Sequence, residues 1–189
     1  MWHKILTILF TVIALSSQQA NAYDFSQFKV TQVKGLFSQA KQFTFLKRAI
    51  HSQGEFVIYE QHVYWHTLTP VSSEMLLLPN GIYRRLPNEA QYQVLTKDKQ
   101  LNQLLAKLLS GDINDNDWKI AMLNTDCYQL VPKLNEIVNL FSEVQLCTNG
   151  ESQRTIVIID QQNNKTEITM QITSKELSQG DMDAVKLSD

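Results

Sequence analysis

The chain has 189 residues, a formal net charge of −2 and two cysteines. Its 17 Lys and Arg residues form no cluster or stripe, which excludes the phosphate-neutralising surface that nucleic acid binding requires. No Ser sits in a G-x-S-x-G elbow, no C-x-x-C occurs, and no carboxylate pair has surroundings that predict a shifted pKa. The residues thus indicate neither an enzyme nor a cofactor or metal site.

In chain order, the first segment reads as a secretory leader. Lys4 supplies a positive start, Ile5 to Leu15 is apolar but too short to cross a bilayer, and Ala20-Asn21-Ala22 is a small-x-small cleavage site. Residues 1–22 are therefore expected to be a signal peptide and 23–189 a single domain outside the cytoplasm, with no Cys at the new start for lipid attachment. Asp24 is placed to cap a short helix carrying Phe25, Phe28 and Val33 and ended by Gly35.

Strands are predicted over Leu36 to Phe45, His51 to Tyr59 and Val63 to Leu68, with Pro70 forcing a break. Glu74 to Leu78 and Ile82 to Leu86 flank Pro79-Asn80-Gly81, the strongest hairpin cue in the chain. The period then changes. Leu101, Leu104, Leu105, Leu108 and Leu109 follow i, i+3, i+4, i+7, i+8 spacing, one face of a helix that Gly111 stops.

Beyond a polar loop, Trp118 to Asn124, Cys127 to Val131, Ser142 to Cys147, Arg154 to Asp160 and Thr166 to Thr173 read as strands, with a helical turn within Leu134 to Phe141. The polar tail from Glu176 is expected to pack loosely or fray, with room for a short helix before Leu187. Cys127 and Cys147 would lie opposite one another if their segments pair, which leaves a disulfide or two reduced thiols open.

This order predicts an α+β fold: a curled antiparallel sheet forming an incomplete, half-open β-barrel covered by helices. Phe56 with Ile58, Val63 with Trp65, and Ile156 with Ile158 lie at i, i+2 spacing, so one sheet face is apolar and points at a core or a cavity. Candidate cavity and lid residues are Phe37, Phe56, Ile58, Trp65, Leu78, Leu101, Leu104, Leu105, Leu108, Ile156 and Ile158. Arg84 and Arg85 are candidates for a phosphate or sugar headgroup, or for a membrane-protein donor. His62 and His66 are too far apart on a strand to share a metal.

Leu36-Phe37-Ser38-Gln39, Ser52-Gln53-Gly54-Glu55-Phe56, Val63-Tyr64-Trp65, Thr69-Pro70, Leu77-Leu78-Pro79-Asn80-Gly81 and Tyr128-Gln129-Leu130-Val131-Pro132 follow one another along nearly the whole mature chain. In order and spacing they resemble the LolA-like family of outer-membrane lipoprotein carriers. Glu60-Gln61-His62 stands where those carriers place an Arg, and the segment after Ser174 is polar, so the chain looks closest to the shorter LolA-related branch.

The resemblance implies a periplasmic, non-catalytic, monomeric carrier that holds a lipoprotein or lipid-linked cargo by its acyl chains. It also implies an inner-membrane donor complex, an outer-membrane acceptor, and no cofactor. A β-rich envelope scaffold with a filled interior is the alternative, and a cavity lined by aliphatic side chains discriminates between them.

Overall fold

A computed structural model describes residues 25–187. The leader expected over residues 1–22 and the capping Asp24 lie outside the described residues. The chain first makes one 3-10 turn, Ser26–Phe28, followed by strands β1 (Gln32–Gln42), β2 (Ile50–Tyr59), β3 (His62–Thr69), β4 (Ser73–Leu78), β5 (Gly81–Arg85) and β6 (Gln93–Thr96). Helix α1 (Lys99–Ser110) comes next, then β7 (Trp118–Asn124), β8 (Cys127–Pro132), the short α2 (Asn135–Val138), β9 (Phe141–Asn149), β10 (Gln153–Asp160), β11 (Lys165–Ser174) and α3 (Gln179–Ala184).

The eleven strands make one antiparallel sheet in the order β6-β5-β4-β3-β2-β1-β11-β10-β9-β8-β7. The first and last strands pair at its centre, and β6 and β7 are its two edges. Those edges are consecutive strands in the chain, and the connection between them carries α1. The sheet is the curled, unclosed structure that the strand count predicts.

Period-two alternation separates two faces. On the concave face Val33, Phe37, Phe56, Ile58, Val63, Trp65, Leu77, Leu130, Val144, Leu146, Ile156 and Met170 form one large buried cluster with Phe28, Leu104 and Leu108. Leu76, Leu78 and Tyr83 form a second, smaller cluster with Tyr64, Tyr92 and Leu187, from alternate positions facing the other way.

The expected N-terminal helix is replaced by the 3-10 turn, and Val33 and Gly35 belong to β1. Gly35 is not a helix stop. The register of β1 against β11 shifts at Lys34/Gly35, and a Cβ on Gly35 would stand 2.0 Å from the Gln171 carbonyl oxygen, so the residue admits a bulge. Gly54 does the same in β2, where a Cβ would meet the His66 carbonyl oxygen at 1.9 Å. Phe37, paired with Gly54, lies over that gap and stacks on Trp65 with ring centroids 3.9 Å apart.

The C-terminal segment does not fray. The Ser178 hydroxyl and Asp181 carboxylate form a capping box at the start of α3, Lys34 Nζ donates to Asp181 Oδ2 at 2.7 Å, and Val185 is fully buried. Cys127 and Cys147 are directly paired on β8 and β9, 4.1 Å apart at Cα, and are joined by a disulfide.

Two predictions follow from these contacts. The bridge closes a separation of 20 residues, so the loop-entropy model gives it about 3 kcal/mol; urea unfolding with and without reductant should differ by about that amount. The Lys34 ammonium and the Ser178 groups hold the Asp181 carboxyl down at about 2, against its ordinary 3.8. The stabilisation is therefore complete above the ordinary value and lost as pH falls through about 2. Amide exchange in residues 179–185 should accelerate across that window, and Lys34→Met should reduce the pH dependence, leaving the part that the Ser178 groups supply.

Candidate functional site

Helix α1 is locally well specified. The Asp98 side chain accepts from the Gln100 and Leu101 amides at its start, and Gly111 ends it in the left-handed region at φ 70. A Cβ on Gly111 would stand 1.9 Å from the Phe28 carbonyl oxygen, so only glycine lets the 3-10 segment and the helix end meet. The Val30 amide donates to the Ser110 carbonyl oxygen at 2.8 Å, and Lys107 pairs with Asp117 at 3.4 Å. The C-terminal end of α1 is thus held at several points. Its N-terminal end follows β6, a four-residue edge strand with three exposed positions.

Beneath α1 lies an apolar cavity of about 140 Å³. The helix contributes Leu105, Leu108 and Leu109; β3 and β4 contribute Trp65, Met75 and Leu77; β10 and β11 contribute Ile156, Ile158 and Ile168. Gln39 is the polar residue of the lining. Strand pairing gathers these side chains: Trp65 is opposite Met75, Ile156 opposite Ile168, and Gln39 opposite Ile168.

Of the residues expected at the site, the structure brings Trp65, Leu105, Leu108, Ile156 and Ile158 together around the cavity. Phe37, Phe56, Ile58 and Leu104 are buried in the concave cluster without lining the cavity, and the two Phe rings stack with Trp65 at centroid distances of 3.9 and 6.0 Å. Leu101 stands outside the lining, near the start of α1. Leu78 packs with Leu76 and Tyr83 on the convex face, because it is an even-numbered neighbour of Leu77 and points the opposite way.

The two arginines also separate by parity. Arg85 is on the convex face, where its Nη2 donates to Glu74 at 2.6 Å and its guanidinium lies 4.7 Å over Tyr92. Tyr92 donates to the same carboxylate at 2.7 Å. Burial pushes the Glu74 carboxyl up, but the hydrogen bonds from Tyr92 and Arg85 outweigh it and hold the group below its usual range. Burial, with help from Glu74 and Glu55, raises the nearby Tyr64 hydroxyl to about 12. This cluster is a satisfied structural network. Arg84 faces the concave side, in register with the cavity residue Met75, and its buried Nε has no partner.

Met75, Leu77, Leu109, Ile168 and Gln39 join the site without having been singled out for it. Ile168 had a signal: with Met170 and Ile172 it alternates along the predicted strand Thr166 to Thr173.

The model of the family described as "Outer membrane lipoprotein carrier protein LolA" matches residues 28–180. A protein of Shewanella pealeana named outer-membrane lipoprotein carrier protein is 24% identical over 177 residues, covering 86% of this chain and 83% of its own. One of the same name from Shewanella halifaxensis is 26% identical over 159 residues, covering 80% and 74%. A crystal structure of a LolA superfamily protein from Nitrosomonas europaea aligns over 85% of this chain and 93% of its own, with 10% identity and a TM-score of 0.46. With most of its length matched by the family model, the chain belongs to the LolA outer membrane lipoprotein carrier family.

Proposed function

We propose that this protein is a periplasmic carrier that holds the acyl chains of a lipoprotein or lipid-linked cargo against the concave face, with α1 as the movable cover. The observation that carries the reading is the apolar cavity between the leucine face of α1 and the rows of β3, β4, β10 and β11. A scaffold with a filled interior would not need it.

Size argues for movement. A cavity of about 150 Å³ lined by aliphatic side chains accepts a guest the size of benzene, and the one here is about 140 Å³. Acyl chains are far larger, so cargo enters only as α1 withdraws. The energies are commensurate. Exposing the buried Leu104 and Leu108 together with the half-buried Leu105 and Leu109 costs at most about 6–12 kcal/mol, while a chain of about a dozen methylenes contributes about 10 kcal/mol. Cargo and helix therefore compete for one surface at near balance, which permits both loading and release.

The attachment of α1 suggests how it moves. Its C-terminal end is tied to Val30, Asp117 and the Phe28 backbone, so the N-terminal end beside β6 is the end that swings. Arg84, on the concave face beside Met75, is placed to meet a polar group on the cargo. Donor and acceptor complexes in the inner and outer membranes would complete the pathway, with the carrier acting as a monomer and without a cofactor.

Leu105 and Leu108 separate packing from binding. Leu108 is 2% exposed, so Leu108→Ala should cost about 2–5 kcal/mol of unfolding free energy. Leu105 is only half-buried, so Leu105→Gln should cost about 1 kcal/mol or less of stability. It should nevertheless weaken binding of a fluorescent diacylated lipopeptide, read by anisotropy, by about tenfold, the equivalent of some two methylenes of contact. Unchanged lipopeptide affinity in a folded Leu105→Gln protein would count against the cradle.

A further inference from the structure

Arg154 lies on the same face of β10 as Ile156 and Ile158, four residues before Ile158 and about 13 Å from it along the strand. It is 4% exposed. Its Nη2 makes one long bond, 3.4 Å, to the Gln27 carbonyl oxygen, and its Nη1 is buried with no partner. Among the described residues no carboxylate forms an ion pair with it, and burial alone lowers its pKa, to about 10, so it remains a cation at neutral pH. An uncompensated guanidinium in such a place is strongly unfavourable unless something supplies charge and acceptors.

Arg154 is part of the wall of a second cavity, about 570 Å³, between residues 26–33 and the β9–β10 turn. Two lysines stand on the same wall, and each is already engaged: Lys29 with Asp112 at 2.8 Å and Lys175 with Glu151 at 3.1 Å. Asp126 also lines the wall without pairing with Arg154. The unmet requirement is therefore specific to Arg154. Its planar fork has one donor nitrogen committed and one free, which suits a carboxylate or phosphate oxygen better than a water-filled contact with a point charge.

We propose that this cavity is an oxyanion-binding site in which Arg154 Nη1 donates to a carboxylate or phosphate oxygen. The volume is far larger than a bare ion and within the range of small-molecule pockets, so the ligand carries the oxyanion on an organic body, such as a phosphate ester or the headgroup of an anionic lipid. The site stands on residues other than those lining the cavity under α1, and its failure would leave the carrier reading intact.

The test is the Arg154 side-chain nitrogen signals of the full-length protein in NMR, titrated with inorganic phosphate and separately with dihexanoyl phosphatidylglycerol, against sodium chloride at equal ionic strength. A saturable shift with either probe, absent with chloride, is the expected result. Saturation by phosphate identifies a free-anion site, and saturation only by the phosphatidylglycerol identifies a lipid headgroup site. Arg154→Gln should weaken the effective probe by at least about tenfold, read by calorimetry. If that variant does not fold, Arg154→Lys keeps the charge without the fork and should also weaken it by about tenfold. No saturable shift with either probe, or wild-type affinity in a folded variant, overturns the proposal.

Discussion

The apolar contact between the leucine face of α1 and the concave sheet completes a core that the strands alone leave open. Eleven strands curl but do not close, and the two unpaired edges are adjacent in the chain, joined through that helix. The cover is therefore covalently tied to both edges of the vessel it covers. Such a helix can leave its seat without leaving the molecule. Bulges at Gly35 and Gly54 curl the central strands, and Trp65 with Phe37 and Phe56 makes a stacked aromatic group beside the cavity.

The elements that stabilise the sheet lie away from α1 and the concave face. The Cys127–Cys147 bridge joins β8 to β9 at odd-numbered positions, whereas the concave-face residues of those strands, Tyr128, Leu130, Val144 and Leu146, are even-numbered. The Glu74, Arg85 and Tyr92 network and the α3 segment brace the convex face in the same way. In the proposed carrier, stability concentrated on the outside would let the inner surface be occupied alternately by helix or guest. Near balance between the two, at about 10 kcal/mol each, is the energetic condition a shuttle needs; a much stronger cradle would never release.

Much of this was legible in the chain. The leucine spacing from Leu101 to Leu109 gave α1 to within two residues, and the Asn-Gly and Asn-Asn turns marked the β4–β5 and β10–β11 hairpins. The misreadings have physical causes. Gly35 reads as a helix stop by type, yet it is a bulge glycine whose constraint comes from Gln171, more than a hundred residues away. β6 carries no alternation because nearly all of it is exposed, so period two has nothing to mark. Phe37, Phe56 and Ile58 share the right face, but whether a residue on that face lines a void or fills the core depends on where the helix rests, which no local pattern encodes. Leu78 and Arg85 were assigned by neighbourhood, and strand parity sends both to the convex side. The same parity, applied to Ile156 and Ile158, would have turned Arg154 inward.

The central claim is that helix and cargo exclude one another from the concave face. Its most direct test is the distance between nitroxide labels at Gln103, on the exposed side of α1, and Gln171, on the central strand β11, measured by pulsed EPR with and without a bound diacylated lipopeptide. The account predicts that the distance distribution shifts to longer values as the lipopeptide saturates. Stoichiometric binding with the distribution unchanged would contradict it.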